Sequence, residues 1–107
     1  MMAFGAAGVK MDEEYFLKQI ENHIPLTEEE LRTLVLFYSI EEMYGADHRW
    51  HKEVTSIVRL GNRYFAVEWY QGLTELQDNE FFDQPYEVEF KEYEKTITIK
   101  EWVKKTS

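Results

Sequence analysis

The 107-residue sequence contains no cysteine. That excludes a disulfide framework, a thiolate metal site and a cysteine nucleophile. Basic residues are also few, with 12 Lys and Arg against 21 Asp and Glu, a formal net charge of -9 and a pI near 4.8. This balance weighs against the basic footprint on which ordinary nucleic-acid binding runs. Nothing approaches the ~20 consecutive apolar residues of a membrane-spanning helix. The first ten residues lack a basic start and an unbroken apolar stretch, so they do not read as a secretory signal. There is no G-x-S-x-G, no P-loop, no H-E-x-x-H and no G-x-G-x-x-G, and with them go the commonest signed routes to hydrolase, nucleotide and zinc chemistry. No internal repeat, linker or low-complexity run is visible, and no cofactor is implied.

What is present is a core. The chain is 44% hydrophobic and 16% aromatic, with three Trp, seven Tyr and seven Phe. Rings of this size give a short chain much apolar area to bury, and the length suits one domain. Residues 1–10 read as a disordered arm or expression remnant, and 11–107 as a single α+β domain.

Asp12 can cap a first helix reaching about Asn22, with Glu13 and Glu14 suiting its positive N-terminus and Pro25 stopping it. Thr27 and Glu30 form an S/T-x-x-E capping box, with Leu26 and Leu31 at the staple positions. The second helix is expected from Glu28 to about Tyr44, stopped by Gly45. It carries too many apolar residues for one stripe, which predicts a homodimer through helix 28–44.

The pattern then changes to period two. Trp50–Leu60 and Arg63–Tyr70 alternate around Gly61-Asn62, a two-residue hairpin signal with glycine first. A two-residue loop pairs Leu60 with Arg63, Val58 with Phe65, Ser56 with Val67 and Val54 with Trp69, so the apolar faces coincide, with Trp50 on the core side. Residues 71–85 read as a long connection with a helical turn at Thr74–Gln77, pinned by Phe81 and Phe82. A second hairpin with its turn at Tyr93-Glu94 pairs Phe90 with Ile97, Val88 with Ile99 and Glu87 with Lys100. The expected fold is two N-terminal helices packed on a four-stranded antiparallel sheet made of two β-hairpins.

The charge is unevenly placed. Residues 27–47 hold six acids and one base, and residues 75–94 eight acids and one base. Residues 48–63 and 95–105 each hold four bases and one acid. The plain reading of the acidic stretches is a solvated face. The sharper one is a surface for a basic partner built from Glu75, Asp78, Glu80, Asp83, Glu87 and Glu89, able to occupy a protein's nucleic-acid channel. A second reading uses Arg49, Arg59 and Arg63 with Tyr64 and Tyr70 as a basic-aromatic platform for nucleic acid. A third is a small metal-dependent enzyme using Asp47, His48 and His51, suitable ligand types. Three-residue spacing, however, puts the two imidazoles on opposite faces of a strand. The many carboxylate pairs are too abundant to single out a general acid.

The segment Arg63-Tyr64-Phe65-Ala66-Val67-Glu68-Trp69, followed by Gly72-Leu73-Thr74-Glu75, Gln77, Asn79-Glu80, Gln84-Pro85 and Glu87-Val88, resembles small uncharacterised accessory proteins of phages and prophages of Gram-positive bacteria. The likeness covers about residues 27–104. It implies a small accessory product in the cytoplasm of a bacterial host, and some such proteins inhibit defence systems, CRISPR nucleases included. It transfers no site residues. The expectation is a non-catalytic, anti-CRISPR-like inhibitor that meets a host protein by steric and electrostatic competition with nucleic acid.

Overall fold

Asp12 opens the first helix by accepting a hydrogen bond from the Tyr15 N–H at 2.9 Å, as an N-cap carboxylate should. Helix α1 runs Glu13–Glu21. It ends in a paired set of reversed bonds, His23 N–H to the Ile20 carbonyl at 3.1 Å and Ile24 N–H to the Gln19 carbonyl at 2.9 Å. This closure requires a left-handed residue, and His23 supplies it with φ 56°, at some cost because it carries a Cβ. The computed structural model describes residues 10–94 and 98–106. The expected N-terminal arm therefore lies outside the described residues, Lys10 excepted.

Helix α2, Glu28–Tyr38, begins with the expected reciprocal Thr27–Glu30 box. It buries Leu31, Leu34 and Val35. The helix does not continue to Tyr44. At Ser39 the chain passes straight into strand β1, Ser39–Asp47, so Gly45 stops nothing. The buried stripe explains the change: one more turn at the same spacing after Tyr38 would carry Glu41 and Glu42 into the core. As a strand, the segment instead satisfies the backbone of β2.

Strands β2, His51–Leu60, and β3, Arg63–Gly72, form the expected hairpin in the expected register, from Leu60 opposite Arg63 to Val54 opposite Trp69. Gly61 has φ 66° and Asn62 is not left-handed, the pattern of a type II′ turn. Trp50 departs from expectation: it lies before β2, 47% exposed, under the Arg49 guanidinium at 4.9 Å. Strands β4, Tyr86–Glu94, and β5, Thr98–Lys104, complete a sheet ordered β1-β2-β3-β4-β5, every neighbour antiparallel. There are thus five strands rather than four.

The last hairpin has a different register from the one expected. Phe90 lies opposite Trp102, Val88 opposite Lys104 and Glu92 opposite Lys100; Ile97, the expected partner of Phe90, lies outside the described residues. The slip is odd-numbered, so the other set of β5 side chains shares a face with Val88 and Phe90. No glycine or asparagine pins the turn, and the slip creates a Phe90–Trp102 aromatic pair, centroids 5.0 Å apart, of the kind that stabilises cross-strand neighbours.

Both helices cover one face of the sheet. Phe16, Leu26, Leu31, Leu34 and Val35 meet Val54, Val58, Leu60, Phe65, Val67 and Trp69 there, with Phe81 of the β3–β4 connection. The opposite face carries a small cluster of Ile57, Ala66 and Val88, sealed by Tyr64, Tyr86 and Trp102. Trp102 of β5 donates its indole N–H to Glu41 of β1 at 2.9 Å. A bond between the first and last strands means that the sheet curls, with this second face concave. Among the described residues no helix is long and apolar enough to cross a membrane.

Candidate functional site

The end of α2, the start of β1 and the β3–β4 connection meet at an open groove of about 420 Å³. Val35 and Leu36 line it from the helix, Ser39 and Glu42 from β1, and Trp69 and Phe81 from the other side. Trp69 stacks on Phe81 with centroids 4.8 Å apart and planes 13° from parallel. Its indole N–H is satisfied by Ser56 Oγ at 2.9 Å. The Ser56 hydroxyl lies 3.4 Å from Glu42 Oε2, so the stacked rings are held by a polar relay that ends on the rim carboxylate.

The connection is strapped to α2. Gln84 accepts from the Leu26 N–H at 2.8 Å and donates to the Leu26 carbonyl at 3.0 Å. Arg32 lies over the Phe81 ring at 4.9 Å, donates to the Asn79 carbonyl and pairs with Glu28 at 3.0 Å. Glu80 exchanges two backbone hydrogen bonds with Tyr70, and Asn79 accepts from the Gly72 N–H at 2.9 Å. The single turn at Thr74–Gln77 is present, with Gln77 N–H bonded to the Thr74 carbonyl at 3.1 Å. Phe81 is buried as expected, but Phe82 is 66% exposed and pins nothing.

The six acids singled out from sequence fall into two groups. Glu75, Asp78 and Asp83 are exposed on the connection. The other three are engaged within the molecule. Glu80 faces His51 at 3.7 Å and Glu89 pairs with Lys91 at 3.5 Å. Glu87 accepts from Arg63 at 3.0 and 3.1 Å and from Lys105 at 3.4 Å. The Arg63 hydrogen bonds hold its carboxyl below the usual carboxylate range against the opposing effect of burial. Glu87 is a structural ion-pair centre on the helix-covered side of the sheet.

The basic-aromatic platform is divided. Arg63 points to the helix side, tied to Glu87 and to Glu21 at 2.8 Å. Tyr64 packs on Trp102 of the concave face, centroids 5.1 Å apart. Arg59 donates to the Gly61 carbonyl at 2.9 Å, Arg49 rests on Trp50, and Tyr70 meets the edges of His48 and His51 at 6.2 and 6.4 Å. The Asp47, His48 and His51 set is likewise split: Asp47 pairs with Lys52 at 3.5 Å, His48 with Glu53 at 2.6 Å, and His51 faces Glu80. Among the described residues no three His, Cys, Asp or Glu side chains converge to hold a metal ion.

Ser39 and Glu42 were not singled out because 39–44 looked helical, and Leu36 counted only toward the surplus of apolar residues in the second helix. One signal was available: Leu31, Leu34, Val35 and Tyr38 already complete a stripe, while Leu36 and Phe37 lie off it. Compared with protein-family models, curated proteins and solved structures, the chain matches none.

Proposed function

We propose that the chain is a non-catalytic, acidic protein-interaction module that docks on the basic, nucleic-acid-binding surface of a partner protein and competes with the nucleic acid there. The observation that carries this reading is the groove itself. It draws Val35, Leu36, Ser39 and Glu42 from one acid-rich segment and Asn79 and Phe81 from the other. An apolar centre with a charged rim is the usual anatomy of an interface. Leu36, 74% exposed, is the apolar contact it offers, and Glu42, Asp78 and Asp83 are exposed acids of the two segments that form it. A partner segment with an apolar anchor flanked by Lys or Arg fits this chemistry. The likeness to phage accessory proteins makes a host defence enzyme the natural candidate.

The test is capture from host lysate, followed by a nucleic-acid competition assay on the captured protein. The wild type is expected to retain a nucleic-acid-binding protein at ~0.1 M salt, release most of it at ~1 M as exposed charges are screened, and reduce its nucleic-acid binding. The Glu75→Lys, Asp78→Lys, Asp83→Lys triple variant and Leu36→Glu should each lower retention at least about tenfold, a change of ~1.4 kcal/mol. Retention indifferent to both variants, or direct binding of nucleic acid by the chain in a gel shift, overturns the reading.

A further inference from the structure

The concave face of the sheet, opposite the docking groove and independent of it, contains a second cavity of about 370 Å³. Its floor is the apolar trio Ile57, Ala66 and Val88, almost wholly buried. Tyr86 and Trp102 form its walls. Trp102 is held by Tyr64 at 5.1 Å on one side and Phe90 at 5.0 Å on the other, so its ring is positioned without a ligand.

The polar groups of the trough are strongly one-sided. The Tyr86 hydroxyl donates to Glu68 Oε2 at 2.7 Å, and the Trp102 indole donates to Glu41 Oε1 at 2.9 Å. Burial and the Glu68 bond push the Tyr86 phenol up to about 12, so it stays a committed donor. Both aromatic donors are thus spent on carboxylates. Among the described residues the second oxygen of each carboxylate accepts no hydrogen bond. Among the described residues that line the trough, Lys104 is the one cation an anion would meet, whereas a cation finds the Glu68 carboxylate and aromatic faces, with Glu41 beside the Trp102 wall. A cation is in fact already there: the Lys104 ammonium lies 5.7 Å from the Tyr86 ring centre, within the range of attraction between a positive charge and a π-face.

We propose that this trough is a binding site for an ammonium or guanidinium group on a short apolar stem, and that Lys104 is a tethered occupant which the ligand displaces. The stem lies on the Ala66 floor, and the charge displaces Lys104 from over Tyr86 and settles beside the free oxygen of Glu68. The same chemistry is presented by a free small amine and by a Lys or Arg side chain of a polypeptide.

The full chain, labelled with 15N, is titrated with benzylamine, benzyl alcohol and benzoate while the Trp102 indole N–H resonance is followed, assigned by its loss in Trp102→Phe. Benzylamine should shift it saturably with Kd on the order of millimolar, as suits a small fragment. Benzyl alcohol should bind several-fold more weakly, and benzoate should leave the resonance unmoved. Lys104→Ala, an exposed position, should tighten benzylamine binding several-fold by removing the internal competitor, and Glu68→Gln should weaken it several-fold. Titration with Nα-acetyl-lysine amide separates the sources. Binding points to a polypeptide side chain, while failure beside bound benzylamine points to a free amine. No saturable shift with either amine, an equal response to benzoate, or Lys104→Ala binding no tighter than wild type overturns the proposal.

Discussion

Arg63 and Glu87 illustrate how much one residue pair can organise. Arg63 joins α1, through Glu21, to β4, through Glu87, from its place at the start of β3, and Lys105 brings the end of the chain to the same carboxylate. Because Arg63 lowers the folded-state pKa of Glu87, ionised Glu87 adds stability above its unfolded pKa of ~4.3. That stability is lost as pH falls through the lower, folded value, since the unfolded chain then binds the proton more readily. Glu87→Gln should therefore cost about 1–3 kcal/mol at pH 7, the worth of charge-assisted hydrogen bonds, and the gap to wild type should narrow as pH falls below ~4.3. Urea unfolding at pH 7, 5 and 3 measures it; a gap that stays constant across the three would contradict the ion-pair account. At this scale the sequence was readable where a residue acts on its neighbours. Asp12, Thr27 with Glu30, and Gly61 all do what their type and spacing predict. The role of Glu87 was not readable, because Arg63 lies 24 positions away and no local pattern joins them.

Among the elements, the β3–β4 connection depends on one close approach. A Cβ on Gly72 would lie 1.9 Å from the Gln77 carbonyl oxygen and 2.6 Å from its carbon, and backbone atoms cannot turn aside as a side chain end can. Gly72→Ala should force the connection off the body, at about 1–3 kcal/mol, the usual cost of overfilling a packed site. For a domain of this size that lowers Tm by ~4–8 °C per kcal/mol. Limited proteolysis within 73–85 should quicken in parallel; unchanged Tm and cleavage would show that the approach carries no weight. The register of hairpin β2–β3 was legible to the residue, Trp50 apart, because Gly61-Asn62 and two alternating faces specify one alignment together. The β4–β5 hairpin was not, because its turn pins nothing and the Phe90–Trp102 pair settled the alignment. Strand β1 was missed for a related reason: Ser39–Asp47 has few strand signals of its own, and the open edge of β2 recruits it.

The whole molecule sets an exposed apolar strip against its own charge. Leu36, Phe37 and Ile40 are 74%, 70% and 54% exposed, on the segment expected to form a homodimer. The same segment carries five acids and one base, so two copies meeting face to face would repel. The chain should sediment as a monomer at ~0.05 M salt and self-associate at ~1 M, where the Debye length falls to about 3 Å. Phe37→Glu should abolish that association. A dimer at low salt would show that apolar burial outweighs the repulsion.

Composition and local order were enough to establish an α+β domain, its helix starts, its central hairpin and its two-toned charge, because caps, turns and alternation are interactions between residues close in sequence. The groove that unites the two acidic segments, the curl that brings Trp102 to Glu41, and the division of Arg63 from Tyr64 and Tyr70 came from packing. Each depends on which face of which strand is buried, and that is settled only when distant elements compete for the same core.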